Sequence, residues 1–215
     1  MYKRQVVTQK TAGHAAEIYN YYKEQGWKYQ QYIACLDPLG EDRGKTPYAL
    51  NPEQYGMFLT ELFNLWYEDW KKGEQPYIRQ FENYIGILLG YQPESCEQRG
   101  SCGIQNVVEA DGSVYPCDFY ALDEYKLGNF NCNRLEEIDK KRKEIAFVEQ
   151  SQIVAENCKN CKFYKICKGG CRRNKDFNAM NGEYENYFCK SYRIFFDICL
   201  ERMIQIVEII KNQKG

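Results

Sequence analysis

The sequence has almost no net charge, no long apolar run and a single histidine. Its 29 Lys and Arg against 30 Asp and Glu leave a formal charge of −1 over 215 residues. So even a balance provides no general field for nucleic acid or an anionic membrane surface. No stretch approaches the ~18 apolar residues of a transmembrane helix. Met1-Tyr-Lys-Arg-Gln does not lead into an apolar segment, so no secretory signal is expected. His14 lies on a polar-flanked helical stretch and is expected to face solvent without a role. Neither a nucleic-acid partner nor a membrane is predicted.

Cysteine is what the chain has in excess, 11 of them, beside 19 Tyr and 11 Phe. So many thiols without a signal segment point to a reducing, cytoplasmic setting and to metal rather than disulfides. Four of them form Cys158-x2-Cys161-x5-Cys167-x3-Cys171. The two-residue spacer turns both sulfurs of the first pair toward one centre. Gly169-Gly170 lets the backbone fold sharply before Cys171. Neighbours this close rarely meet the Cα separation a disulfide needs. Cys96-x5-Cys102-x14-Cys117 precedes the stretch and Cys189 follows at x17, making eight thiols, enough for two four-thiolate sites. Cys35, Cys132 and Cys199 are read as small buried hydrophobes or bystanders.

Along the chain, Val6-Val7-Thr8 reads as a short strand, 11–25 as a helix stopped by Gly26, and 29–36 as a buried strand. Strand, helix, strand implies a parallel unit, and one that opens a chain resembles the tail of an α/β barrel. After a charged loop, Asn51-Pro52-Glu53 starts a helix to about Lys72, with Phe58, Leu62, Leu65, Trp66 and Trp70 on its core stripe. A second helix is expected over 77–89, and Cys96 and Cys102 in a Ser/Gly/Gln loop. Asp111-Gly112 between 106–110 and 113–115 signals a hairpin with a two-residue turn, delivering Cys117-Asp118 at its exit. Asn133 is a candidate cap for a helix over 135–139, 143–152 reads as helical, and 191–211 as a final amphipathic helix.

Two zinc ribbons are the plainer reading of the thiols, but ribbons use paired C-x2-C knuckles and only one such pair exists among the eight. The x5 and x3 gaps and the isolated distal cysteines fit iron–sulfur ligation better.

The cysteine pattern resembles the SPASM domain of radical SAM enzymes. More closely, Asp111-Gly-Ser-Val-Tyr-Pro-Cys-Asp-Phe-Tyr120, Lys126-Leu-Gly-Asn129 and Cys167-Lys-Gly-Gly-Cys-Arg-Arg173 resemble anaerobic sulfatase-maturating enzymes. The opening strands and Tyr32-Ile-Ala-Cys-Leu-Asp-Pro38 resemble the last part of their barrel. The fold class so implied is α/β plus α+β: the C-terminal end of a partial (β/α) radical SAM barrel, then a SPASM iron–sulfur domain with a β-hairpin and helices. The implied boundaries are a barrel end over 1–50, bridging helices over 51–95, the SPASM domain over 96–190 and a C-terminal helix over 191–215. The family's C-x3-C-x2-C motif for the SAM-cleaving cluster is absent, so the chain reads as the C-terminal portion of a longer enzyme and Met1 need not be a native start.

The resemblance implies an oxidoreductase that converts a sulfatase active-site Cys or Ser to Cα-formylglycine. Cys96, Cys102, Cys117 and Cys171 would hold one auxiliary 4Fe-4S cluster; Cys158, Cys161, Cys167 and Cys189 would hold another. S-adenosyl-L-methionine and a third 4Fe-4S cluster belong to the intact enzyme. Its partners would be an unfolded sulfatase polypeptide and a reduced donor such as flavodoxin or ferredoxin. Asp118, directly after a ligand, is the candidate catalytic base, because anionic surroundings and burial favour proton uptake by a carboxylate. The plainer alternative is a hairpin-end carboxylate accepting backbone hydrogen bonds. Leu36, at the end of the last barrel strand, would contact the adenosine part of the cofactor or simply pack in the core. Lys159, Lys162, Lys168, Arg172 and Arg173 are either a solvated face or offset cluster charge. Two other functions remain: another SPASM peptide modifier, such as a thioether synthase, and a non-catalytic iron–sulfur or zinc binding module.

Overall fold

A computed structural model describes residues 3–213, so Met1 lies outside the described residues. The chain divides into two compact units. One contains Met1–Ser95, Lys162–Cys167 and Tyr187–Gly215; the other contains Cys96–Cys161 and Lys168–Asn186.

The first unit opens with β1 (Lys3–Val7), α1 (Ala15–Glu24) and β2 (Tyr29–Ala34). β1 and β2 are parallel, with Val7 opposite Ala34. Gly26, at φ 67°, ends the helix. In α2 (Pro52–Trp70), Asn51 Oδ1 accepts from the Glu53 N–H at 2.8 Å, a cap worth about 1 kcal/mol. Phe58, Leu62 and Trp66 are buried as the stripe required, whereas Leu65 and Trp70 are only half-buried. Phe63, off the expected stripe, is buried as well.

The helix expected over 77–89 begins later. Tyr77 and Ile78 form β3, which joins the open edge of β2 in parallel, and only Arg79–Leu88 is α3. The Tyr77 N–H donates to the Lys28 carbonyl at 2.7 Å. An open strand edge offers a full row of backbone partners, which outweighs helical propensity over two residues. The C-terminal helix Cys189–Asn212 packs on α2. A Cβ on Gly56 would come within 3.0 Å of the Ser191 backbone, so glycine permits that approach. Phe63, Trp66, Phe81, Tyr84, Phe195 and Phe196 fill this core. His14 is exposed, as expected, and lies 3.0 Å from Glu17.

The second unit holds an antiparallel sheet of β4 (Val107–Val108), β5 (Ser113–Tyr115) and β6 (Gly128–Asn129), in that order. Val114, Leu127 and Ile138 form its apolar centre. The turn between β4 and β5 differs from the expected two-residue form. Glu109 still pairs with Ser113, and the Gly112 N–H closes onto the Glu109 carbonyl at 2.9 Å. The loop is therefore Ala110-Asp111-Gly112, with Gly112 left-handed at φ 83°.

Asn133 does not cap the helix Leu135–Glu144. Its Oδ1 accepts from the Asn129 N–H instead, while Glu137 reaches back to the Arg134 N–H. The helix expected over 143–152 is broken at Ala146, φ 46°, and resumes as Phe147–Ser151. β7 (Lys175–Asn178) and β8 (Glu183–Asn186) form a second hairpin. Among the described residues, no helix is long and apolar enough to cross a membrane.

Candidate metal centre

Cys96 is not in an open loop. It begins the helical turn Cys96–Arg99, closed by the Gly100 N–H on the Cys96 carbonyl at 3.1 Å. A Cβ on Gly100 would lie 2.5 Å from the Lys168 carbonyl oxygen, so the Cys96–Cys102 segment sits directly against the turn before Cys171. That turn runs through three consecutive left-handed residues: Lys168 at φ 55°, Gly169 at 81° and Gly170 at 72°. Two glycines adopt this freely, while Lys168 does so at a cost of roughly 1–2 kcal/mol. Cys171 then caps a short turn, its Sγ accepting from the Arg173 N–H at 3.4 Å. Cys117 follows β5 after Pro116, at the exit of the first hairpin.

The thiols of this unit act on one another. Burial pushes Cys171 well above the ordinary range, with Glu97, Cys96 and Cys102 adding to it. Cys96 is raised by burial, then by Cys102 and Glu97. Cys117 is pushed up to about 12, first by burial, then by Asp118 and Cys102. Cys102 is thus common to all three. Such a set holds its protons in the bare protein and releases them to a thiophilic metal. Among the described residues, no cysteine forms a disulfide. The donor set is therefore soft and rich in sulfur, which suits iron–sulfur or zinc rather than a hard cation. Among the described residues, no three His, Cys, Asp or Glu side chains close on a single-ion position. Cys158 and Cys161 lie in the same unit as these four, whereas Cys167 and Cys189 belong to the other. Cys35 is half-buried, Cys132 exposed and Cys199 buried.

Asp118 opens the short turn Asp118–Tyr120. It is exposed, contrary to the burial expected of a base. Its Oδ1 accepts from Cys117 Sγ and from the Phe119 N–H, each at 3.2 Å. It is thus both a neighbour of a candidate ligand and a turn carboxylate bonded to backbone. Leu36 is half-buried just beyond β2. The adjacent Asp37 was not anticipated. It is buried and accepts from the Gly44 N–H at 2.7 Å and from the Thr46 N–H and hydroxyl at 2.8 and 2.7 Å. Burial alone would raise its pKa, but these donors hold it below the usual carboxylate range. The Asp-Pro pair followed by a Gly/Thr loop was the available signal.

The basic residues separate. Lys159 pairs with Glu156 at 3.0 Å and Lys162 with Asp197 at 2.6 Å. Arg172 stacks on Phe147, 4.5 Å from the ring centroid, and on Tyr120, and donates to the Phe147 carbonyl at 2.8 Å. Arg173 is buried. Lys175, absent from the sequence expectations, donates from Nζ to the Ser151 carbonyl at 2.8 Å.

Comparison with known proteins agrees with the thiol pattern. The SPASM iron-sulfur cluster-binding domain family matches residues 96–162. The chain is 45% identical over 206 residues to the cysteine-type anaerobic sulfatase-maturating enzyme of Clostridium perfringens (strain 13 / Type A), covering 96% of this chain and 56% of that protein. It is 40% identical over 205 residues to the cysteine-type enzyme of Clostridium novyi (strain NT), covering 95% of this chain and 55% of that protein. The serine-type enzyme of Bacteroides thetaiotaomicron is 29% identical over 227 residues, covering 98% of this chain and 54% of that protein. A solved structure of native anSMEcpe with bound AdoMet and Cp18Cys peptide superposes with a TM-score of 0.89 at 43% identity, covering 96% of this chain and 57% of that one. The chain thus spans little more than half the length of the curated relatives it matches.

Proposed function

We propose that this chain, a SPASM-containing relative of the anaerobic sulfatase-maturating enzymes, holds their auxiliary iron–sulfur centres and a proton-accepting group. One observation carries the reading: the Cys96–Cys102 segment packs backbone to backbone on the turn before Cys171, a Cβ on Gly100 lying 2.5 Å from the Lys168 carbonyl oxygen. Cys96, Cys102, Cys117 and Cys171 would hold one 4Fe-4S cluster. Cys158, Cys161, Cys167 and Cys189 remain the second set on spacing and resemblance alone. When bound, such clusters supply a path for electrons.

The reaction of the whole protein would be oxidation of a sulfatase residue to Cα-formylglycine, with S-adenosyl-L-methionine, a third cluster and a flavodoxin- or ferredoxin-like donor. Cysteine is the proposed target, because identity to cysteine-type enzymes, 45%, exceeds that to the serine-type enzyme, 29%. Within this chain, Asp118 is the proposed acceptor of the target's side-chain proton. Its exposed carboxylate is accessible to a peptide, and as the residue after Cys117 it stays next to the cluster site. The barrel-end reading of the first fifty residues is supported by the parallel pairing of β1 and β2. Leu36, half-buried just past β2, is proposed to face the adenosine part of the cofactor.

Anaerobic reconstitution with iron and sulfide tests the reading. About eight irons with equal acid-labile sulfide per chain supports two 4Fe-4S clusters. Two tightly held zinc ions, stable in air and without sulfide, would replace it with a zinc module.

A further inference from the structure

We propose that Lys175 is the fixed positive charge of the site formed by Cys96, Cys102, Cys117 and Cys171, holding its bound group at a higher reduction potential than thiolate ligands alone would give. The inference rests on the function proposed above and adds a residue to it.

Lys175 is the first residue of β7, opposite Asn186 of β8. Its Nζ donates to the Ser151 carbonyl at 2.8 Å and to the Ile153 carbonyl at 3.0 Å. Both acceptors are neutral, so they fix the ammonium in place without cancelling its charge. Ser151 is only 1% exposed, and its Oγ accepts from the Cys102 N–H at 2.8 Å. One buried serine therefore links the backbone of a candidate ligand to the ammonium. On the other side, Nζ lies 4.0 Å from the position of a Cβ on Gly169, in the turn before Cys171. The Asn186 side chain donates to the Gly169 carbonyl at 2.9 Å, tying the far strand of the same hairpin to that turn.

The electrostatics follow the geometry. Burial pulls the Lys175 pKa down, while Cys158, Cys171 and Cys102 push it back up. The same attraction, seen from the other partner, favours negative charge on the thiolates and on whatever they hold. It is little screened, because the ammonium is partly withdrawn from solvent. Lys159 and Lys162 pair with carboxylates, whereas Arg172, stacked on aromatic rings, lies near enough to oppose the charge of Lys175. Net charge and nearby donors are the levers by which a protein sets cluster potential, and a reduced cluster is the more negative form.

The test compares the full chain, reconstituted anaerobically, with its Lys175→Gln and Lys175→Arg variants by EPR-monitored redox titration, with iron and melting temperature measured alongside. Lys175→Gln should shift a cluster midpoint to more negative potential at unchanged iron content, and Lys175→Arg should restore it. Iron loss in Lys175→Gln but not in Lys175→Arg carries the same conclusion, since charge is what the arginine restores. A wild-type midpoint in Lys175→Gln would overturn the inference, as would iron loss in both variants, which would assign Lys175 to shape alone. Failure of the wild-type chain to assemble clusters would remove the functional reading and this inference together, and is distinguished by the absence of any signal to shift.

Discussion

The Lys168 carbonyl oxygen stands 2.5 Å from where a Cβ on Gly100 would lie. Two segments almost seventy residues apart thus meet backbone to backbone, and each carries candidate ligands at its ends.

Gly100→Ala tests that approach. Gly100 is left-handed at φ 73°, and the added methyl would strike backbone rather than a flexible side chain. The substitution should destabilise the second unit by about 1–3 kcal/mol. Reconstituted iron should fall with it. Denaturant unfolding beside an iron assay checks this; full iron content at wild-type stability would mean that the two segments are free to separate.

Asp118→Asn separates base from structure. In the longer enzyme proposed above, the amide would keep the shape of the turn but no longer accept a proton. Formylglycine formation should drop by ~10²-fold or more, with 5′-deoxyadenosine production and iron content retained. Both products are measured in one anaerobic assay. Parallel loss of the two would assign Asp118 to the fold, and wild-type product yield would end its role as base.

Glu82 gives the pH dependence. Burial raises its carboxyl to about 7 from 4.5. A carboxyl raised on folding contributes stability that is fully present below the unfolded value and lost as pH rises through the folded one. Stability should therefore decline between about pH 4.5 and 7 through this group, by at most ~3 kcal/mol and less with solvent screening. Glu82→Gln should be the more stable protein at pH 8 and near neutral in effect at pH 4. Urea midpoints at the two pH values check the sign.

The 215-residue chain contains no C-x3-C-x2-C. Incubated by itself with S-adenosyl-L-methionine and dithionite, it should yield no 5′-deoxyadenosine above the protein-free control. Multiple turnovers would show that other cysteines, such as Cys35 or Cys132, complete a SAM-cleaving site.

The Asn51 cap, the parallel opening strands and the long terminal helix were legible in the sequence, and the eight thiols were legible as candidates, because each is written in local spacing. Thiol intervals, a cap two residues from its acid and a period of 3.6 need no knowledge of distant partners. Tertiary structure decided the rest. Tyr77 and Ile78 left their helix because β2 offered an open edge, and Asn133 turned from its helix to Asn129. Ala146 broke an otherwise continuous helical pattern. Lys175 looked like one more lysine until the β7–β8 hairpin returned it to Ser151, and Ser151 to Cys102. Ligand identity is a property of side chains, but the charge a ligand group feels is set by what the fold packs against it, across separations along the chain that no local pattern records.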